Sequence, residues 1–523
     1  MQRIAVDVGP VNEEELVAVA RYGAGVELTE AALAAIAASR ATVEALAEDT
    51  EAHYGISTGF GALATKHIPV EQRALLQRSL IRSHAAGSGP EVEREVVRAM
   101  MLLRLSTLAT GRTGVRPQTA TALAALLDNT ITPIVREYGS LGCSGDLAPL
   151  AHVALALIGE GTVRDADGVE APAADVLARY GITPIVLAEK EGLALINGTD
   201  GMLGQLLLAC HDLDLLLRTA DLTAAMSVEA MLGTARVFAA DLQALRPHPG
   251  QAVAAANMRA LLADSPIVAS HAGPDCVYVQ DAYSMRCAPQ VAGAARDTVA
   301  HARAVAGYEL RAAVDNPVVL GPLPGAPDSA AEWRVESNGN FHGAPIAYVL
   351  DFLAIPAADV ASISERRTDR MLDVARSRGL SPFLADDPGV DSGHMIAQYT
   401  QAALVSELKR LAVPASVDSI PSSAMQEDHV SMGWSAARKL RRSVDALTRV
   451  LAIELLSAAR ALDLRAPLQP GPATGAVVAA LRESVPGPGT DRHLSPEIEA
   501  AVEFVRTGAA VAAADAVLPE ALQ

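Results

Sequence analysis

Gly139-Ser140-Leu141-Gly142-Cys143-Ser144-Gly145-Asp146-Leu147-Ala148-Pro149-Leu150-Ala151-His152 is the stretch whose reading decides the fold. A serine in a glycine-rich turn suggests a nucleophile elbow. Gly-x-Ser-x-Gly would need glycine at position 146, however, and Asp146 stands there. Cys143 is a second candidate nucleophile, with no evident histidine partner close by in the sequence. What the stretch does offer is an Xaa-Ser-Gly tripeptide in a glycine-rich loop. Gly145 can adopt backbone angles barred to other residues, and its amide nitrogen is unhindered. That is the local requirement for a backbone nitrogen to attack the carbonyl two residues earlier.

Outward from this loop the pattern is helical. Thr29 can cap a helix running through LAAIAASRATVEALAE, and Pro69 precedes a helix ending near Gly87. Pro90 opens a run of about twenty residues stopped by Gly111. Longer runs cover 201–234, 282–314, 343–375, 397–411 and 429–464. Helices this long with alanine-rich faces imply a bundle. The strand signal is confined to short pieces such as RIAVDV and EWRVES. Glycine, proline and small polar residues gather at 53–62, 136–150, 246–281, 316–341, 379–395, 412–428 and 466–493, which read as loops. The last of these, with QPGPATG and PGPGTDR, reads as plain surface connection. Three stretches follow: 1–200 carrying the polar loops, 201–465 with the long helices, and 466–523 as a helical tail.

Of the 523 residues only 3% are aromatic and 50% are hydrophobic, which suits helix over strand. The formal charge of −19 argues against nucleic acid or an anionic membrane surface as partner. The four cysteines form no CxxC pair, no uncharged apolar run reaches about 18 residues, and the N-terminus carries no apolar leader. A cytoplasmic protein is expected.

Several further blocks accompany the tripeptide. Tyr54-Gly55-Ile56-Ser57-Thr58-Gly59-Phe60-Gly61 is glycine-rich but lacks the lysine of a phosphate-binding loop. Glu191 to Thr199, Gln280 to Arg286, Asn340-Phe341-His342-Gly343 and Gln426-Glu427-Asp428-His429 follow in order. Together these blocks resemble the aromatic amino acid ammonia-lyases, which act on histidine, phenylalanine or tyrosine. The resemblance runs from about residue 10 to about residue 510. It implies a mainly α fold, a long-helix bundle of the aromatic amino acid lyase type with small irregular and β pieces in the N-terminal part. It also implies a homotetramer whose active sites combine residues from three subunits.

By the same resemblance Cys143-Ser144-Gly145 cyclises by itself into a methylidene-imidazolone, an electrophile that replaces any external cofactor. Cys143 stands where alanine is usual; its side chain is a bystander to the cyclisation, and a secondary role for the thiol stays open. The implied reaction is the non-oxidative loss of ammonia from an α-amino acid. A positioned base must take a barely acidic β-proton. Tyr54 is the candidate for that proton, and its pKa would need lowering by a positive charge or hydrogen bonds. Tyr283 orients the electrophile or the amine, and the two tyrosines' roles are exchangeable. Arg286 is the carboxylate clamp. Asn197 and Gln280 hydrogen-bond the imidazolone oxygen and the substrate carboxylate, and Phe341 excludes water. Gly61, Asp146 and Gln426 support these groups.

Ser83-His84 and Glu427 set the substrate, and Glu427 is also a catalytic candidate for proton transfer. In this family a Ser-His pair goes with histidine, as does glutamate at the position of Glu427. Imidazole needs polar partners at both nitrogens, whereas a phenyl ring would leave Glu427 unpaired. The expectation is L-histidine converted to trans-urocanate, the first step of histidine degradation. The alternatives are a tyrosine or phenylalanine ammonia-lyase, or a 2,3-aminomutase returning ammonia to the β-carbon. No metal site is expected, because adjacent Glu427, Asp428 and His429 cannot converge on one ion from a regular helix. His53 and His152 flank the site loops, and His248 serves assembly or loop packing. His67, His211, His301, His394 and His493 are surface or satisfied core residues. Cys210, Cys276 and Cys287 are reduced and structural.

Overall fold

The Thr29 hydroxyl accepts a hydrogen bond from the Ala32 amide at 3.1 Å and opens the helix Glu30–Glu48 in the computed structural model. The structure describes residues 3–49, 51–273, 276–321 and 333–523. Parts of the 246–281 and 316–341 loops, and Glu332 of EWRVES, lie outside those residues. The fold is mainly α.

Two compact units interleave in sequence. The first takes residues 1–208, 303–350 and 415–438, and the second takes 209–302, 351–414 and 439–523. Each therefore draws on more than one of the three stretches marked out above.

In the first unit RIAV forms the strand Arg3–Val6, paired in parallel with Gly25–Leu28. The helix Val70–His84 starts directly after Pro69, as expected. The run after Pro90 departs from expectation. Ser88–Glu91 is a short strand antiparallel to Arg136–Tyr138, and the helix begins only at Arg94 and runs to Ala109. Proline tolerates an edge strand because it has no amide to donate. The helix Arg94–Ala109 has every residue from Val96 to Ala109 buried and serves as the unit's central post. Trp434 is buried in the same unit, its indole N–H donating to the Glu137 carbonyl at 2.6 Å.

In the second unit the long helices are tied to one another by a buried carboxylate. Glu454, on Gly433–Asp463, accepts from Thr223 and Ser227 of Asp200–Ala230 and from Ser364 and Arg367 of Ala344–Leu372. Arg367 grips it with two nitrogens at 2.5 and 2.9 Å. Gln401 of Met395–Leu411 donates to the Val450 carbonyl, and Arg296 of Ala288–Leu310 pairs with Asp221. A buried charge with this many donors is compensated, and the ties hold the apolar faces in register. Two of the expected loops contain helices. Pro249–Leu261 and Pro472–Leu481 each begin at a proline in the first helical turn, where its missing amide costs nothing.

Two helical stretches, Glu191–Ala230 and Ala344–Leu372, are apolar enough over an 18-residue window to cross a membrane by length and composition. The window in the first is wholly buried in the protein, and 56% of the window in the second is buried.

His394 is 2% exposed in the second unit, with Nδ1 3.1 Å from the Ser457 hydroxyl. Burial pushes its imidazole down to about 3, aided by Arg460, Arg482 and Arg492 and opposed by Asp491. The unfolded side chain takes up a proton near pH 6.5 and the folded one does not. Stability therefore falls as pH drops from about 6.5 toward 3, by about 1.4 kcal/mol per pH unit. Urea midpoints measured between pH 7 and 5 should fall accordingly, and His394→Gln should flatten the slope.

Candidate active site

The tripeptide sits in the first unit, between the strand Arg136–Tyr138 and the helix Leu147–Leu157. Gly142 and Gly145 have φ of +67° and +74°, the left-handed region that glycine enters freely. Gly145 also faces a close neighbour, since a Cβ built on it would lie 2.2 Å from the Gly198 carbonyl oxygen. The Asp146 amide donates to that same oxygen at 2.7 Å. Asp146 accepts from the Ser140 hydroxyl and the Met202 amide, both at 2.9 Å. Burial first, then Asp200, pushes its carboxyl up to about 7 against those hydrogen bonds. The loop is thus pinned on both sides of the tripeptide.

Glu427 is the hub of the site. Its Oε1 accepts the Ser144 hydroxyl at 3.1 Å, and its Oε2 accepts the Cys143 thiol at 3.2 Å and the Ser422 hydroxyl at 2.9 Å. Asn197 ends the helix Glu191–Ile196 and donates from Nδ2 to the Ser144 carbonyl oxygen at 2.9 Å. Asn197 is buried, and its Oδ1 has no hydrogen-bond partner among the described residues. An unpaired buried acceptor beside the tripeptide suits an incoming donor.

His84, at the last turn of Val70–His84, has Nδ1 2.9 Å from the Leu80 carbonyl and 3.1 Å from the Ser83 hydroxyl. With Nδ1–H donated to that carbonyl, Nε2 carries the lone pair. Burial lowers the His84 pKa, while the Leu80 bond and the charge of Glu427 oppose it. Tyr54 donates no hydrogen bond in the described contacts, but its hydroxyl accepts from the Gly61 amide at 3.3 Å. Burial raises the phenol pKa, and Glu427 and Asp315 raise it further, against the Gly61 bond. This runs opposite to the lowering that a phenolate base requires, so the groups around Tyr54 in this unit favour the neutral phenol. The Cys143 thiol is pushed up to about 12, by burial first and then by Glu427. Both effects disfavour the thiolate form of Cys143.

The structure thus brings Cys143, Ser144, Asn197 and Glu427 into one hydrogen-bonded group, with Tyr54 and His84 in the field of Glu427. Gly61 has φ of +53°, and a Cβ there would lie 3.4 Å from the Ser423 hydroxyl, so the tyrosine loop abuts the turn before Glu427. Gln426 is exposed in that turn. Phe341 is half-buried in the same unit, next to His342, whose ring stacks on His429 at 5.6 Å. Gln280, Tyr283 and Arg286 belong to the second unit. There the Arg286 guanidinium lies over the Tyr283 ring at 4.6 Å, Tyr283 is 72% exposed, and Gln280 is exposed. Sequence reasoning missed Ser422, and nothing in Pro421-Ser422-Ser423 marks it as a ligand of a carboxylate five residues on. Among the described residues no group of three or more metal-ligating side chains is present.

The model of the aromatic amino acid lyase family matches residues 11–483. The chain is 63% identical over 518 residues to a histidine ammonia-lyase of Streptomyces avermitilis, covering 99% of both chains. Among solved structures, it resembles a tyrosine aminomutase from Streptomyces globisporus, with a TM-score of 0.92, 38% identity and full coverage of both chains. It also resembles a histidine ammonia-lyase from Trypanosoma cruzi, with a TM-score of 0.89, 37% identity and coverage of 99% and 96%. The chain belongs to the aromatic amino acid lyase family. It is an enzyme of the carbon–nitrogen lyase class. The family works with an electrophile formed from its own chain and takes no external cofactor.

Proposed function

We propose that this enzyme eliminates ammonia from L-histidine to give trans-urocanate, using an electrophile made from Cys143, Ser144 and Gly145. The observation that carries the reading is the convergence on Glu427 of Cys143, Ser144 and the field of His84. In the cyclisation the Gly145 nitrogen bonds to the Cys143 carbonyl carbon. Two waters leave, one carrying that carbonyl oxygen and one carrying the Ser144 hydroxyl. The resulting methylidene-imidazolone supplies an electrophilic carbon that turns the substrate amine into a leaving group. The residues fit that group, since Asn197 already donates to the Ser144 carbonyl oxygen, which becomes the ring oxygen. A preorganised donor there stabilises negative charge at that oxygen.

His84 Nε2 accepts from one nitrogen of the substrate imidazole and Glu427 engages the other. A phenyl ring would leave His84 Nε2 and Glu427 Oε1 without the partner that imidazole offers, and at these half-buried groups the cost is about 1 kcal/mol each. Tyr54 transfers the β-proton, and it needs a cation to offset the charges that raise its pKa. Arg286 and Gln280 hold the substrate carboxylate, Tyr283 orients the amine, and Phe341 keeps water out. Gly61, Asp146 and Gln426 hold these groups in place. The working form is a homotetramer with shared sites. Phe352 and Ile355 of the second unit, on the helix Ala344–Leu372 and 46% and 52% exposed, are apolar positions that a second copy would cover. The four cysteines are free thiols, which suits a reducing cytoplasm.

The test is a panel of histidine, phenylalanine and tyrosine, read by ultraviolet absorbance of the unsaturated products and by released ammonia. Histidine is expected to turn over fastest, and faster turnover of either other amino acid would overturn the assignment. His84→Leu should lower kcat/KM for histidine roughly 100-fold while sparing phenylalanine, because a lost polar partner in a specificity pocket costs on that order. The likeness to a tyrosine aminomutase supports a second reading, in which ammonia returns to the β-carbon. A β-amino acid among the products would identify it.

A further inference from the structure

Glu427 is held more tightly than binding a substrate ring requires. Its backbone pairs with Ser422 in both directions, Ser422 N to Glu427 O at 2.9 Å and Glu427 N to Ser422 O at 3.3 Å. Between them Ser423, Ala424 and Met425 all lie in the left-handed region, with φ of 52°, 52° and 68°. Non-glycine residues there cost about 1–2 kcal/mol each, so the turn is a strained and fixed one. Oε2 is fastened by Ser422 and Cys143, which leaves Oε1 aimed at a single group, the Ser144 hydroxyl.

We propose that Glu427 is the proton donor for the dehydration of Ser144 during maturation of the electrophile. The inference rests on the reading that Cys143-Ser144-Gly145 cyclises. In the dehydration the Cα–H and Cβ–Oγ bonds of Ser144 break and a Cα=Cβ double bond forms. Hydroxide is a poor leaving group, so Oγ needs a proton as it departs. When the Glu427 carboxyl carries a proton, the 3.1 Å bond to Oγ runs from acid to hydroxyl and delivers it. The Cα proton passes to solvent and the carboxylate is reprotonated from solvent, so one water is lost overall. The step has a second consequence. Once Oγ has left, Oε1 has lost its partner and faces the site, free to meet the substrate ring. Maturation therefore uncaps the same oxygen that substrate binding uses. Cys143, in place of the usual alanine, is a positioning residue that helps keep Oε1 on Ser144.

The test is intact mass of the purified full-length chain, with circular dichroism to check folding. The wild-type chain is expected to be lighter than its sequence by two waters. If it is not, the cyclisation reading itself fails. With that established, Glu427→Gln is expected to lose at most one water relative to its own sequence, and a full two-water deficit overturns the proposal. Should Glu427→Gln not fold, Ser422→Ala and Cys143→Ala carry the test, since both keep the carboxyl. In the double variant, loss of the second water after synthesis is expected to be roughly 100-fold slower, within the range of positioned acid catalysis. A rate equal to wild type overturns the proposal in that case.

Discussion

Ser144→Ala is expected to lower kcat with histidine by at least about 10,000-fold, a modest part of the accelerations enzymes achieve. Alanine has no β-oxygen to lose, so no methylidene carbon can form. The fold should hardly notice the change. Ser144 is half-buried, and its hydroxyl has Glu427 as its described partner. That carboxylate keeps Ser422 and Cys143 as donors, so no buried polar group is stranded. Denaturation midpoints should stay within about 0.5 kcal/mol of wild type. Full activity in this variant would refute the mechanism, and loss of the folded state would refute the structural account of the loop.

The second large effect belongs to Gly145→Ala, which should fail in both respects. The φ of +74° costs an alanine about 1–2 kcal/mol. Its methyl group would sit 2.2 Å from the Gly198 oxygen and 2.4 Å from the Gly198 carbonyl carbon. Those are backbone atoms tied to the Asp146 amide, so they cannot yield as a flexible side chain would. Overpacking of this kind adds about 1–3 kcal/mol. The expected outcome is activity at background and urea unfolding shifted by about 2–5 kcal/mol in total. Wild-type stability would show that the loop relaxes away from Gly198, and the close approach would then play no part.

Much of the helical frame was legible because local chemistry marks it. Thr29 caps its helix with its own hydroxyl, and Pro69 immediately precedes another. Prolines misled where tertiary pairing decides. Pro90 reads as a helix opener, yet it lies on a strand held by Arg136–Tyr138, a partner far along the chain. Pro472 reads as part of a glycine- and proline-rich connection, yet it opens a helix.

The site was legible as blocks and illegible as contacts. Cys143, Ser144 and Gly145 stand out in any reading of the loop. That Glu427 reaches back 283 residues to Ser144 has no local signal, nor does the clamp from Ser422. The turn that presents Glu427 is built from Ser423, Ala424 and Met425, residues with no preference for left-handed angles. Packing imposes that conformation, and packing cannot be read from composition. The electrostatics of Tyr54 were likewise hidden. Its phenol needs a cation, whereas its neighbours in the first unit are the carboxylates Glu427 and Asp315.

We assign the reactive group of this carbon–nitrogen lyase to residues Cys143, Ser144 and Gly145. Mass spectrometry of the peptide that contains these residues, taken from the purified wild-type enzyme, tests it most directly. The peptide is expected to be lighter by two waters than its sequence requires. A peptide of unaltered mass would contradict it.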